Sequence, residues 1–279
     1  MNNNKEITTK QRVIVIKDIF REQNNNKIKE FNGYHAIAYA GSQLFYNPIR
    51  GNMWFSTNQL FQIMGNNDSR AKSKINSAIR DLIKWDMLEA ENFNGKNGNN
   101  DVLSLKIPHI DKKESKFTTI NYDFVLRIIE SDQPITEKGN MLLIYMVLAQ
   151  YMGNDVIAYP SIETMANDSG LSSSTISNTL HNLKELKIIE YGNNGLYKNT
   201  DGKIRSSNNI YIFMDIEGVE KVIKHHIKNK KEKDDKAKEE IVEEEIIIND
   251  NEPEEEFIDY TQIEDIEPTK EEIIDSLFG

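Results

Sequence analysis

Residues 159–189, YPSIETMANDSGLSSSTISNTLHNLKELKII, decide how the rest of the chain is read. Ser161, ahead of a short apolar-periodic run, marks a helix start, because a serine hydroxyl accepts from the unpaired amides of a first turn. Gly170 supplies flexible backbone for a turn, and Ser172 is placed to cap a second helix. In that helix Ile176, Leu180, Leu183 and Leu186 recur at the spacing of one α-helical face. The remaining positions, Ser173, Ser174, Thr175, Ser177, Asn178, His181 and Asn182, are short and hydrogen-bonding. Two helices joined by a tight turn follow, from about Ser161 to Asn167 and from about Ser173 to Leu186, the second with one apolar and one polar face.

Working outward, Ile188 to Tyr191 and Asn209 to Met214 read as strands of a two-stranded ribbon, enclosing a loop that carries Tyr197, Lys198, Lys203 and Arg205. Upstream, Asn121 to Glu130 and the strongly apolar Lys138 to Tyr151 read as helices. The same unit occurs earlier in the chain. Ile75 to Glu89 (INSAIRDLIKWDMLE) aligns without a gap on Ile176 to Glu190 (ISNTLHNLKELKIIE), pairing Ile75 with Ile176, Ile79 with Leu180, Leu82 with Leu183 and Trp85 with Leu186. Thr57 and Phe61 then correspond to Ser161 and Met165. The first copy's helix is expected to start near Asp68 and to present Arg70, Lys72, Ser73, Lys74, Asn76, Ser77 and Arg80 opposite Ala71, Ile75, Ala78, Ile79, Leu82 and Ile83. Asn92 to Asn100 is its hairpin or loop, with the cation Lys96, closed by the strand-like Val102 to Ile107. Arg12 to Phe20 reads as a strand and Gln23 to Asn26 as a turn after it. Phe31 to Phe45 is mixed in pattern and its state stays open.

A helix that buries one face and offers short polar side chains at its N-terminal end suits the DNA major groove, where base edges and phosphates lie within reach. A basic ribbon tip beside it is a wing, whose cations sit against a phosphate backbone or a minor groove. The candidate DNA-binding residues are therefore Arg70, Lys72, Ser73, Lys74, Asn76, Ser77, Arg80 and Lys96 in the first copy. In the second they are Ser172, Ser173, Ser174, Thr175, Ser177, Asn178, Lys198, Lys203 and Arg205. The Ser172 to Thr175 run owes part of its identity to capping, and His181 reads as a solvated or packing histidine.

Taken together, Tyr159 to Ala166, Gly170 to Ile176, Leu180, Leu183 and Leu186 to Ile189 resemble the winged helix-turn-helix pattern of bacterial regulators and replication proteins. With Phe117 to Tyr151 in front, the stretch is similar to the N-terminal domains of RepA-type plasmid replication initiators and DnaD-like phage replisome organisers. The resemblance covers Phe117 to Met214, and Met53 to Ile107 more loosely. It implies a replication role, with a transcriptional regulator and a protein-interaction scaffold as the alternatives. In this pattern a Gly normally precedes the aliphatic pair after the second helix; here Asp86 and Lys187 stand there, a departure expected to cost little in a turn. A DnaD-type C-terminal domain has no counterpart in this chain.

A formal net charge of −11 would oppose DNA binding if it were evenly spread, and it is not. From Glu239 onward there are 17 acidic residues against Lys270, whereas residues 221–238 hold eight lysines against three acids, and residues 1–220 balance. The lysine-rich segment reads either as a nonspecific phosphate clamp or as a solvated linker. The tail from Glu239 is expected to be disordered. Its apolar clusters, Phe257 with Tyr260 and Ile273, Ile274, Leu277 and Phe278, read as peptides that recruit a protein partner; a DNA-mimicking role toward the basic surfaces is the alternative. The expected fold class is α+β, mainly α: a first winged-helix domain with an N-terminal strand (1–110), a linker (111–116), a second winged-helix domain (117–220), the lysine-rich segment (221–238) and the acidic tail (239–279).

The chain has no cysteine, which excludes a disulfide framework and suits a reducing cytoplasm. No run approaches the roughly 18 apolar residues of a membrane span, and Met1 to Lys5 lacks a signal peptide's apolar core. No phosphate-binding Gly loop, metal-ligand spacing or nucleophile, base and acid arrangement occurs, so neither catalysis nor a metal or cofactor is expected. Double-stranded DNA, a replication protein held by the tail and a possible second copy of the chain are the expected partners. An immobilised peptide spanning residues 238–279 should retain one specific protein and release it when Phe257, Tyr260, Leu277 and Phe278 become Ser. Equal retention by both peptides would mark the tail as a spacer.

Overall fold

The computed structural model describes residues 12–16, 31–108, 117–152, 157–193, 196–198, 204–206 and 209–214. The chain starts with β1 (Arg12–Ile16), α1 (Gly33–Ser42) and a 3₁₀ turn (Gln43–Phe45), then β2 (Tyr46–Asn47) and β3 (Asn52–Phe55). The helix pair α2 (Thr57–Ile63) and α3 (Ser69–Lys84) leads into β4 (Glu89–Ala90) and β5 (Leu103–Lys106). After β6 (Phe117–Asn121) come α4 (Tyr122–Glu130), α5 (Ile135–Tyr151), β7 (Ile157–Ala158), α6 (Ile162–Ser169) and α7 (Ser173–Glu185). The last described elements are β8 (Ile189–Asn193), β9 (Leu196–Lys198), β10 (Ile204–Ser206) and β11 (Asn209–Phe213).

The internal repeat is a repeat of topology. In the first copy the strand before the helix pair meets the last wing strand, which meets the first, in the order β3-β5-β4 with β2 added at the edge. The second copy repeats it as β7-β11-β8, with β9 and β10 forming a further hairpin. The two-stranded ribbon read from the sequence is thus one strand short, because β7 has only two residues and no alternation of its own. The fold class is α+β, two winged helices in tandem. The open segment Phe31 to Phe45 forms α1, capped by Asn32 through its Oδ1 and by His35 in return.

Both second helices end in the same way. In the first copy the Asp86 amide donates to Ile83 O (3.1 Å) and the Met87 amide to Leu82 O (2.9 Å). In the second, Lys187 donates to Lys184 O (2.8 Å) and Ile188 to Leu183 O (3.0 Å). This is a Schellman motif, which needs a left-handed residue after the cap, and Asp86 (φ 56°) and Lys187 (φ 53°) supply it. The departure from Gly at these positions is therefore not cost-free, since a side chain in the left-handed region costs about 1–2 kcal/mol. Arg127 of α4 offsets part of this at α7 by donating through Nη1 to Leu186 O (3.0 Å) and Lys187 O (3.3 Å).

The first helix of the first copy, α1, crosses its counterpart α5, where Gly33 meets Gly139. A Cβ on Gly139 would lie 2.7 Å from the Gly33 carbonyl carbon and oxygen, and one on Gly33 would lie 2.8 Å from the Gly139 carbonyl carbon. Backbone approaches backbone, so only two glycines fit. Around this crossing the apolar side chains form one core that runs through both copies, from Ala36, Ile37, Leu60 and Ile79 to Leu142, Leu148, Ile176 and Leu180. Helix α5 is buried on every side from Lys138 to Gln150, as its uniformly apolar sequence requires. Lys138 is buried with it and donates through Nζ to Met64 O (2.9 Å), at the end of α2, and to Ile129 O (2.8 Å) in α4. Burial pushes its pKa down, while carbonyls at helix ends favour the ammonium.

The N-terminal strand bridges the copies as well. β1 pairs antiparallel with β6, from Arg12 opposite Asn121 to Ile16 opposite Phe117. On its other side the Gln43 amide stands in for a strand, accepting from the Ile14 amide (2.8 Å) and donating to Ile14 O (3.1 Å). Residues 109–116, which include the segment 111–116 read as a linker, and 215–279, with the lysine-rich segment and the tail, lie outside the described residues. Gly139→Ala should destabilise the fold by about 2 kcal/mol or more, as overpacking against backbone does, whereas Gly192→Ala, with nothing within 4 Å, should be close to neutral. Chemical denaturation of the two variants checks this, and equal stability would contradict the tight crossing.

Candidate nucleic-acid interface

Helix α7 is started by Ser172, whose Oγ accepts from the Thr175 amide (3.2 Å) and also contacts the hydroxyls of Ser174 (3.0 Å) and Thr175 (2.8 Å). Ile176, Thr179, Leu180 and Leu183 are buried, while Ser172, Ser173, Ser174, Ser177, Asn178 and His181 are exposed and Thr175 is half-buried. Ser177 donates its hydroxyl to Ser173 O (3.0 Å), which turns one of the candidates back onto the helix. Ser174 and Asn178 stay on the outward stripe, one turn apart.

Helix α3 is capped by Asp68, which accepts from Arg70 N (2.8 Å) and Ala71 N (3.3 Å). Under the repeat alignment its N-terminus starts one turn before that of α7, and the extra turn carries Arg70. Ser73 and Ser77, the counterparts of Ser174 and Asn178, are exposed as they are. Two of the first copy's lysines lie on aromatic faces: Lys72 Nζ is 5.4 Å from the Phe61 ring centroid and donates to Asn67 Oδ1 (2.9 Å), and Lys74 Nζ is 4.8 Å from the Tyr34 centroid. Such packing orders the aliphatic stems while the ammonium groups face water. Tyr34 lies in the stretch whose state the sequence left open, so no periodic signal marked it. Lys84, on the same outward stripe as Ser77, is a further exposed cation.

Asn76 is corrected by the structure. It is buried, accepts from the Thr57 hydroxyl and from Asn97 Nδ2 (3.1 Å), and donates to Asn99 Oδ1 (2.7 Å). Arg80 is half-buried and bonds Asn97 Oδ1 at 3.5 Å. The Asn58 amide donates to Asn99 O (2.9 Å), and the Asn58 side chain to Asn100. The asparagine-rich loop is thereby laced down onto α2 and α3, with Lys96 exposed beyond the lacing. The helical period alone puts Asn76 next to the outward stripe; the wing folding over it made it internal. The reading frame of the repeat also shifts before the turn: Ser56 caps α2 in a capping box with Gln59, so Ser56 and Leu60, rather than Thr57 and Phe61, match Ser161 and Met165.

At the base of the first wing the Glu91 carboxylate accepts from Lys106, from Ser104 Oγ (2.6 Å) and from Asn52 Nδ2 (3.3 Å). The Lys106 and Ser104 bonds hold its pKa down at about 2. This network pins β3, β4 and β5 to each other at the foot of the loop. In the second wing, Lys198 and Arg205 lie on the paired strands β9 and β10, with Arg205 opposite Tyr197. Lys203 and the tail candidates Phe257, Tyr260, Ile273, Ile274, Leu277 and Phe278 lie outside the described residues. Among the described residues no group of acidic or histidine side chains is arranged to hold a metal ion, and no helix is long and apolar enough to cross a membrane.

Residues 138–189, from the first turn of α5 to the first residue of β8, match a family described as a helix-turn-helix domain. Eight solved chains match in structure. One of them, the crystal structure of Pi initiator protein in complex with iteron DNA, is 13% identical, with 75% of this chain and 99% of that chain covered at a TM-score of 0.41. No curated protein matches. The second copy of the repeat is thus similar in sequence to helix-turn-helix domains, and its helix pair has that geometry.

Replacing Asn76 by Ala removes the centre of the wing lacing and leaves Thr57 and Asn99 without their shared partner. The expected cost is about 1–3 kcal/mol, together with faster amide exchange across 92–100. Unchanged stability and unchanged exchange would return Asn76 to the exposed face.

Proposed function

We propose that this protein binds double-stranded DNA at a specific sequence through both winged helices, as a replication initiator or replisome organiser of a plasmid or phage. The observation that carries the DNA reading is the doubled outward stripe: Ser73 and Ser77 on α3, Ser174 and Asn178 on α7, exposed at equivalent positions of one motif. Short polar side chains there reach base edges in a major groove, and the cations around the first stripe, Arg70, Lys72, Lys74 and Lys84, supply phosphate contacts. The replication role rests on the resemblance of Phe117 to Met214 to initiator and organiser domains. In this reading the protein is cytoplasmic and not an enzyme, and the segment after residue 238 recruits a protein of the replication machinery.

Selection from a random duplex pool with the full chain should return one preferred sequence. Arg70→Ala and Lys72→Ala should weaken binding and flatten its salt dependence, by about 0.9 in slope for each phosphate no longer neutralised. Ser174→Ala and Asn178→Ala should instead change which sequence is preferred, at about 1–3 kcal/mol for each base edge no longer read. Unchanged affinity and preference in all four variants would discard the recognition-helix assignment. A plasmid carrying the selected site with this gene as its only replication determinant should be maintained in the host; failure of that arm with intact DNA binding would leave a regulator.

A further inference from the structure

The two copies enclose a cleft that nothing in the sequence pattern foretells. It is open, of about 580 Å³, and is lined on one side by Tyr34 of α1 with Lys74, Ser77 and Asp81 of α3, and on the other by Ser169 to Leu171, the turn just before α7. One side of it belongs to α3 and the other to the turn that leads into α7. Ser77 belongs to the outward stripe of α3, and Leu171 is adjacent in the chain to Ser172, the cap of α7. The cleft thus lies between the α3 stripe and the turn that leads into α7.

The chemistry inside suits a phosphate rather than a base edge. Lys74 Nζ sits over the Tyr34 ring and hydrogen-bonds the Tyr34 hydroxyl at 3.4 Å. An ammonium has three donors, so one bond to Tyr34 leaves donors for an incoming oxygen. The Ser77 and Tyr34 hydroxyls are neutral donors on the same side. The acidic member of the lining, Asp81, is drawn to His35, with Oδ2 3.5 Å from Nε2, and His35 is itself buried between Phe31 and Trp85 at ring centroid distances of 5.5 and 4.9 Å. The carboxylate is thus turned toward an imidazole, which limits its repulsion of an anion at the mouth.

We propose that this cleft holds the sugar-phosphate backbone of the duplex between its two major-groove contacts, with Lys74 as the phosphate cation and Tyr34 as the residue that positions it. The proposal rests on the DNA reading above and adds a sequence-independent clamp at the centre of the site. Because the Gly33 and Gly139 crossing fixes α1 against α5, the clamp is built into the fold.

The test uses the full chain and its selected duplex, with neutral methylphosphonate linkages placed singly along the centre. Lys74→Gln should lower the salt slope by about 0.9, so that the fall in affinity between about 50 and 200 mM salt becomes about 3.5-fold smaller. It should leave base preference and melting temperature unchanged. One central methylphosphonate should weaken the wild type and have no effect on Lys74→Gln, and Tyr34→Phe should give a partial version of the same pattern. Equal sensitivity of wild type and Lys74→Gln to every central linkage would overturn the clamp, as would a changed base preference, which would make Lys74 a base reader. If the wild type binds no duplex at all, the DNA reading fails and the clamp with it.

Discussion

The close crossing of α1 and α5 at Gly33 and Gly139 is the constraint on which the rest of the structure depends. Each helix-turn-helix pair is preceded by one of these helices, so the crossing joins the copies at their roots. Backbone packed on backbone sets the distance between them, and the apolar side chains around it fill one continuous core in place of two small ones. Core continuity matters because small separate domains bury a smaller fraction of their surface and are correspondingly marginal. Lys138, one residue from the crossing, then ties the ends of α2 and α4 through their carbonyls, and β1 lies against β6 from the far end of the chain.

With the roots fixed, the second helices of both copies, α3 and α7, pack onto one core. The copies are not equal, however. The first has the longer second helix, four cations on or beside the stripe and a wing tied down by asparagines; the second has a neutral stripe and a wing prolonged by a further hairpin. Under the proposed DNA-binding reading, attraction that is blind to sequence falls, at the helices, mainly to α3, and hydrogen-bond readout with little charge falls to α7. The formal charge of −11 is compatible with this because the excess acid lies after residue 238.

Much of the fold was legible because it is written locally. The 101-residue repeat, the burial of Ile75 with Ile176 and of Leu82 with Leu183, the caps Asp68, Ser161 and Ser172, and the buried helix from Lys138 to Tyr151 all follow from periodicity and hydroxyl or carboxylate chemistry within a few residues. The same local reading failed at Asn76, whose neighbours on the helix surface come from a loop some twenty residues later. It missed β7, too short to show alternation, and α1, whose Gly, Ala, Tyr and Ser content carries no clear stripe because the helix is buried on most of its surface.

By itself, then, the sequence determined the two helix-turn-helix units and their order, since caps, periodic apolar faces and turn residues act over one or two turns of chain. Apart from Asn76, it also determined which short polar side chains of α3 and α7 lie opposite each apolar face. Tertiary structure alone decided that the units share a core, that Asp86 and Lys187 are forced left-handed where both helices stop, that Asn76 belongs to the wing and not to the surface, and that a cleft with Lys74 against Tyr34 opens between the copies. Those outcomes depend on which distant segments come within a few ångströms of each other, and the approach of Gly33 to Gly139, 106 positions apart in the sequence, is what brings them there.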